Sequence, residues 1–307
     1  MADAIAAFDC GSNSTRLLVA DDEGMALVRS MNITRLSQGV DASGTLLPDA
    51  MERTFAVLRA YRAACDREGA TRGRLVATSA VRDAANREEF LRRAHEIVRV
   101  PVSVLAGEEE AALSYAGATK DLVFDERPTM IVDIGGGSTE LAVERDGTLV
   151  SYSMQLGSVR VTERALGRGV VNAQSDLGAR TMIDDEIERA FSARPDFERV
   201  VGHVRLVGLA GTVATLAQMD AELLVYDRDV VHHRVLSLTT VDRWRDLLSS
   251  ETPKVRLAHP GMVEGREDVL PAGLYILDAV MRRLEVDQVL SSENDILDGI
   301  VASLLAG

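Results

Sequence analysis

Two stretches carry residue types and spacings suited to phosphate chemistry. The first is Asp9-Cys10-Gly11-Ser12-Asn13-Ser14-Thr15, and the second is Asp133-Ile134-Gly135-Gly136-Gly137-Ser138-Thr139-Glu140. In each, a short apolar run ends in an aspartate, small and hydroxyl residues follow, and an alternating apolar run resumes. That order reads as strand, tight turn, strand. Glycine lets the backbone turn sharply and bring N–H groups close to an anion. The aspartate at the strand end can hold a hydrated cation beside that anion. Either hairpin alone is equally a plain tight turn, but the two superimpose. Asp9 meets Asp133, Gly11 meets Gly135, Ser14 meets Ser138, Thr15 meets Thr139, Leu17 meets Leu141 and Val19 meets Val143. An internal repeat of this kind implies two related domains, each presenting an aspartate and a phosphate-sized turn. Facing each other across a cleft, the two would clamp a phosphate chain from both sides.

The elements that must position these turns can be read along the chain. Two or three strands surround the first turn, with a reversal at Asp22-Glu23-Gly24, and a helix follows from Ala50 to Gly69. Its apolar residues Met51, Phe55, Leu58 and Tyr61 recur at helical spacing, and Arg53, Arg59, Arg62 and Arg67 lie off that stripe as a solvated face. The strand at Leu75–Thr78 delivers Thr78-Ser79-Ala80-Val81-Arg82-Asp83-Ala84 at its carboxyl end, where open α/β sheets place ligands. Asn86 is placed as the N-cap of a helix through Ile97. A strand over 100–105 then leads to Gly107-Glu108-Glu109-Glu110-Ala111, which opens a further helix. Asp125-Glu126-Arg127-Pro128 is the expected junction between domains. Beyond it, a strand over 149–155 completes the second hairpin meander, and Leu156 to Glu163 leads into helical territory up to Phe191. Val204–Thr212 reads as a strand running into a glycine turn and a helix N-terminus, either a phosphate-holding element or a plain βα turn. A helix over 271–284, a strand at 288–291 and a closing helix from Asp295 complete the plan. The expected fold class is α/β, with mixed sheets flanked by helices.

Composition narrows the function. The 307 residues suit two domains, and 46% hydrophobic residues suffice for two cores. No apolar run is long enough to span a membrane. Met1-Ala2-Asp3-Ala4 has no basic segment, so no signal peptide is expected. Cys10 and Cys65 make no disulfide framework, which fits a reduced cytoplasmic setting. The net charge of −14 argues against nucleic-acid binding. Residues 1–100 hold 14 Arg against 14 Asp and Glu, so the whole deficit lies in residues 101–307. Lys120 and Lys254 are the only lysines; the preponderance of Arg suits bidentate phosphate contact or reflects codon usage. His95, the adjacent pair His232-His233, and His259 show no metal-ligand spacing and read as structural or surface residues.

Taken in order, five segments resemble the exopolyphosphatase/guanosine pentaphosphate phosphohydrolase family of the acetate and sugar kinase, chaperone and actin superfamily. They are Asp9–Ser14, Thr78–Ala84, Gly107–Ala111, Asp133–Glu140 and Gly208–Thr212, and the match spans essentially the whole chain. The resemblance implies two ribonuclease-H-like (actin-like ATPase) domains, residues 1–125 and 126–293, with the final helix (294–307) returning to the first and the active site in the interdomain cleft. Longer members carry extra C-terminal helical domains, so this chain is expected to be the short form, suited to short polyphosphate. A homodimer is implied by the family alone.

The chemistry expected is release of terminal orthophosphate by an activated water, which needs charge neutralisation and in-line positioning. Gly11, Ser12, Asn13 and Ser14, with Gly135, Gly136, Gly137, Ser138 and Thr139, would bind successive phosphates, with Gly211 and Thr212 adding a third element. Asp9, Asp133 and Glu140 are candidate ligands for Mg²⁺, with Mn²⁺ an alternative. Glu110 matches the family's general base, immediately before the alanine of its Glu-Glu-Ala motif; Glu108 and Glu109 are its neighbours. Arg82 would neutralise phosphate charge or form an ordinary ion pair, and Arg160 divides evenly between the same roles. The substrate is inorganic polyphosphate, or alternatively the 5′ γ-phosphate of guanosine pentaphosphate. A kinase of the same superfamily and a catalytically silent sensor are the readings from other classes.

Overall fold

A computed structural model describes residues 4–123 and 125–306. These fall into two compact units, one running to Lys120 and resuming at Asp295, the other Asp121–Asn294.

The first unit is built on a five-stranded sheet of order β3-β2-β1-β4-β5. β1 (Ile5–Cys10), β2 (Ser14–Ala20) and β3 (Ala26–Ile33) form an antiparallel meander, while β4 (Arg72–Ala77) and β5 (Val102–Val104) add in parallel. Alternation along the strands serves two covered faces. Phe8, Cys10, Leu17 and Val19 pack with Phe55, Leu58 and Phe90 from the helices Pro48–Arg67 and Arg87–Val98. Ala7, Leu18, Ala20 and Val76 point the other way, against Ile296, Leu297 and Ile300 of the C-terminal helix Ile296–Ala306. That helix packs on Gly107–Thr119, the helix that carries Glu110, at very short range. A Cβ at Gly299 would lie 2.0 Å from the Leu113 carbonyl oxygen.

The second unit repeats the plan with a six-stranded sheet, β10-β11-β9-β6-β7-β8. β6 (Thr129–Ile134), β7 (Thr139–Arg145) and β8 (Thr148–Met154) form the meander, and β9 (Arg205–Leu209) lies parallel to β6. β11 (Gln288–Ser291) continues in parallel, and β10 (Val235–Ser237) closes the edge antiparallel. Its core joins Met130, Val132, Leu141 and Val143 to Ile183 and Ile187 of helix Ala173–Ala193 and to helix Leu270–Arg283. Among the described residues no helix is long and apolar enough to cross a membrane.

Three local expectations change. Arg62 is not on a solvated face. It is buried, and it donates to the carbonyls of Val98 (3.2 Å) and Ala70 (2.8 Å) and pairs with Asp66. Asn86 occupies the N-cap position but makes no side-chain cap bond. Its amide instead pairs with both backbone groups of Leu46, tying two segments together. The helical territory before Phe191 is interrupted. Ser158–Val161 passes into a π turn, Thr162–Leu166, and Asn172 restarts the chain with a capping box closed by Ser175.

Candidate active site

Each repeat puts its turn at the carboxyl end of parallel strands. In the first unit, Gly11 N–H donates to Ser14 O at 3.0 Å; in the second, Gly135 N–H donates to Ser138 O at the same distance. The carbonyls of both turns are used for bracing. Ser12 O accepts from Ser37 N–H, and Asn13 O accepts from the N–H groups of Thr34 and Arg35. Gly135 O accepts from Ser158 N–H, and Gly136 O from the N–H groups of Val159 and Arg160. Arg160 Nε donates to Gly137 O at 2.8 Å, so its guanidinium braces the second turn. Helix Ser158–Val161 approaches so closely that a Cβ on Gly157 would lie 2.4 Å from Gly136 O. With carbonyls turned to the protein, the donors face elsewhere. Among the described residues, no protein acceptor takes the N–H of Ser12, Asn13, Gly136 or Gly137. Braced loops of this polarity, with donors unused by the protein and acceptors satisfied, are suited to act as anion nests.

The aspartates occupy equivalent places with different partners. Asp9 lies opposite Arg16 on β2, and Asp133 lies opposite Glu140 on β7. Arg16 donates to Asp9 Oδ2 through Nε (2.8 Å) and Nη2 (2.6 Å), and through Nη1 to Asp295 Oδ2 (2.5 Å). Asp9 Oδ1 is buried with no hydrogen-bond partner. Burial pushes the Asp9 carboxyl above the ordinary carboxylate range, against the pull of Arg16. At the other repeat, Asp133 and Glu140 are both buried, and Ser153 Oγ donates to Glu140 Oε1 at 2.7 Å. Thr139 Oγ1 beside them is buried without a partner. Two buried carboxylates on adjacent strands, next to a donor-rich turn, form an oxygen donor set suited to a hard divalent cation.

Glu110 separates from its neighbours. It is buried on the first turn of its helix, whereas Glu108 and Glu109 are exposed and Glu109 pairs with Arg74 at 2.8 Å. Arg82 follows β4 in the short helix Ser79–Arg82. Its Nη1 donates to Glu110 Oε2 (3.1 Å) and to Leu105 O (2.8 Å), while Nη2 is buried with no partner. One guanidinium thus fixes the carboxylate and keeps a donor in hand. Ser79 Oγ meets Ser12 Oγ at 2.9 Å, joining this segment to the first turn.

The third element differs from expectation. β9 passes straight into helix Ala210–Asp220, with Ala210 at φ 63°. Gly211 and Thr212 therefore lie in the helix's first turn, with no intervening glycine turn. The Arg266 guanidinium covers Gly211 so closely that a Cβ there would lie 1.7 Å from Nη1. Arg266, buried 55 residues farther along the chain, was not identified from the sequence. Because Asp133 pairs in register with Leu209, this helix N-terminus and its arginine adjoin the second turn.

A profile of the Ppx/GppA phosphatase family matches residues 18–306. The chain belongs to that family. It is similar to Exopolyphosphatase 2 of Mycobacterium tuberculosis, with 37% identity over 98% of each chain. Among solved structures, an exopolyphosphatase-like protein superposes with a TM-score of 0.92 at 33% identity, covering 99% of both chains. The Aquifex aeolicus PPX-GPPA enzyme gives 0.79 at 27% identity over the full length of each. Membership of a phosphatase family accords with two braced anion nests and a buried carboxylate held by an arginine.

Proposed function

We propose that this Ppx/GppA family member is an exopolyphosphatase, a phosphoanhydride hydrolase releasing terminal orthophosphate from inorganic polyphosphate. The observation that carries the reading is the duplicated turn, whose N–H donors no protein acceptor among the described residues takes, while its carbonyls accept the backbone bracing bonds. Each turn can hold a phosphate group, with Asn13 Nδ2 and Arg82 Nη2 as further buried donors in the first unit. Arg266 and the start of helix Ala210–Asp220 add positive character beside the second turn. Glu110 is the general base. Arg82 holds its Oε2, and the same guanidinium offers Nη2 to the phosphate under attack.

Asp133 and Glu140 would hold Mg²⁺ in the second unit, and Asp9 Oδ1 is the equivalent candidate oxygen in the first. When bound, the ion supplies neutralisation of phosphate oxygens and keeps its remaining waters. The sequence alternative, guanosine pentaphosphate, would use the same turns.

The test is orthophosphate release, with Mg²⁺, from short polyphosphate, long polyphosphate and guanosine pentaphosphate in parallel. Short polyphosphate is expected to be the best substrate. Glu110→Gln should lower kcat by about 10²–10⁴, the usual contribution of a general base, with KM little changed. Preference for the nucleotide, or full turnover by Glu110→Gln, would overturn the reading.

A further inference from the structure

The second unit carries a cluster that the proposed reaction does not use. Asp121, His232 and His233 bring one carboxylate oxygen and two imidazole nitrogens within 4.8 Å of one another. The adjacent histidines offered no ligand spacing in the sequence because their partner lies 111 residues away. Their rings stack, with centroids 3.8 Å apart at 28°, so that both Nε2 atoms point at Asp121.

The hydrogen bonds divide the cluster into distinct roles. Glu293 N–H donates to His232 Nδ1 at 3.1 Å, which places the His232 proton on Nε2. That Nε2–H donates to Asp121 Oδ2 at 2.9 Å, and Asn294 Nδ2 donates to the same oxygen at 2.7 Å. Oδ2 is thus doubly occupied, and Oδ1 is left facing His233. His233 Nε2 is buried and makes no hydrogen bond, and it lies 3.6 Å from Oδ1. That separation is too long for a hydrogen bond. It is close to the roughly 3.3 Å between two ligand atoms on one tetrahedral ion with 2.0–2.1 Å bonds. His233 is held there in a left-handed backbone conformation (φ 60°), with its N–H bonded to Ser291 O at 2.7 Å. Unfavourable backbone that positions an unpartnered side chain is characteristic of functional sites.

We propose that Asp121 Oδ1 and His233 Nε2 are the protein ligands of an accessory site for a transition-metal ion of the Zn²⁺ class, separate from the Mg²⁺ expected at Asp133 and Glu140. His232 and Asn294 orient the carboxylate from the outer shell, as hydrogen-bonded partners of metal ligands commonly do. Imidazole selects such ions over Mg²⁺, which prefers oxygen. Asp121 and Asn294 are the first and last residues of this unit, so the ion would fasten the points at which the chain enters and leaves it. The exposed carboxylate gives a route in from solvent.

Co²⁺ titration of chelator-treated protein, in excess Mg²⁺ and followed by visible absorption, tests this. One equivalent per chain should develop the intense bands of a four-coordinate ion, displaced by Zn²⁺. Asn tolerates the left-handed backbone, so His233→Asn should keep the fold and weaken binding at least tenfold. Asp121→Asn, which keeps an acceptor for His232, should do the same, and it decides the matter if His233→Asn does not fold. His203→Gln, at an imidazole outside the cluster, should bind as wild type does. No such bands in the wild type, or the same midpoint in both cluster variants, would overturn the proposal.

Discussion

The contact between the C-terminal helix and the Glu110 helix makes a strong prediction for Gly299→Ala. The new Cβ would lie 2.0 Å from Leu113 O, 2.8 Å from its carbonyl carbon and 3.0 Å from its Cα. Ordinary carbon–oxygen contacts begin near about 3.3 Å, so the helices must part by over about 1 Å. The obstacle is backbone and cannot rotate away. Gly117 closes the same contact from the opposite helix, where a Cβ would lie 1.9 Å from Asp295 O. Overpacking costs about 1–3 kcal/mol or more, and the helix-propensity gain from Gly to Ala returns at most about 1 kcal/mol. Because the obstacle is backbone, the cost falls at the upper end of that range, and we expect a net loss of about 2 kcal/mol. By calorimetry that is a fall in Tm of about 4 °C or more for domains of this size. Misplacing a catalytic group by about 1 Å can cost about 10²-fold, so kcat should fall even where the variant remains folded. Gly178→Ala is the control. It sits within helix Ala173–Ala193, where a Cβ would meet only Ala165 Cβ at 3.9 Å. It should gain about 0.5–1 kcal/mol. A Gly299→Ala protein melting at or above the wild-type temperature would refute the packing argument. One melting lower with unchanged kcat would refute the link to Glu110.

Three further outcomes follow from single residues. Arg256 is fully buried and donates to the carbonyls of Leu248, Arg168, Glu267 and Gly169; lysine cannot reproduce that fork, so Arg256→Lys should cost about 2–4 kcal/mol in urea unfolding. Burial alone would raise the Asp298 carboxyl, yet Arg29 and Lys120, both at 2.6 Å, hold it below its ordinary value. A depressed folded value adds stability above the unfolded pKa of about 4 and loses it as pH falls through the folded one. Asp298→Asn should therefore be less stable by about 2–4 kcal/mol at neutral pH, with the gap in Tm closing in acid below pH of about 4. Asp133→Asn and Glu140→Gln should each raise the Mg²⁺ concentration for half-maximal turnover at least about tenfold, one ligand contact being worth roughly 1.4 kcal/mol or more, whereas Asp9→Asn should shift it less.

Much of the architecture was legible because it rests on local pattern. Period-two alternation marked the meander strands, and the Asp9/Asp133 register exposed the duplication before any coordinates. The misreadings share a cause: a side chain chosen for a distant partner. Arg62 looked solvated by its helical phase, but the carbonyls of Ala70 and Val98 draw it inward. Asn86 looked like a cap, but Leu46 takes both its hydrogen-bonding groups. Gly211 looked like a turn residue, but it lies in the first turn of a helix, under the guanidinium of Arg266. Three adjacent glutamates could be told apart by family resemblance alone; burial now separates Glu110 from the exposed pair for a physical reason, the helix face presented to Arg82. The His232-His233 cluster was invisible because spacing rules search along the chain and Asp121 arrives from elsewhere in the fold.

The duplication is most informative where it fails. The residue directly across from the strand-end aspartate is Arg16 in the first repeat and Glu140 in the second. The same backbone therefore carries a pair of formal charge zero on one side and minus two on the other. Two carboxylates buried side by side are mutually costly unless a proton or a cation lies between them. On the proposed reading, a divalent ion bound beside them would relieve part of that cost. Arg16, by contrast, already supplies the positive charge at Asp9 and is itself shared with Asp295. A divalent ion arriving there would meet a neutralised carboxylate with one oxygen to spare. Ancestral symmetry would give two equivalent metal–phosphate turns. On the proposed reading, a single exchange of charge at the cross-strand position would instead make one turn a cation site and leave the other to hold phosphate with its amides.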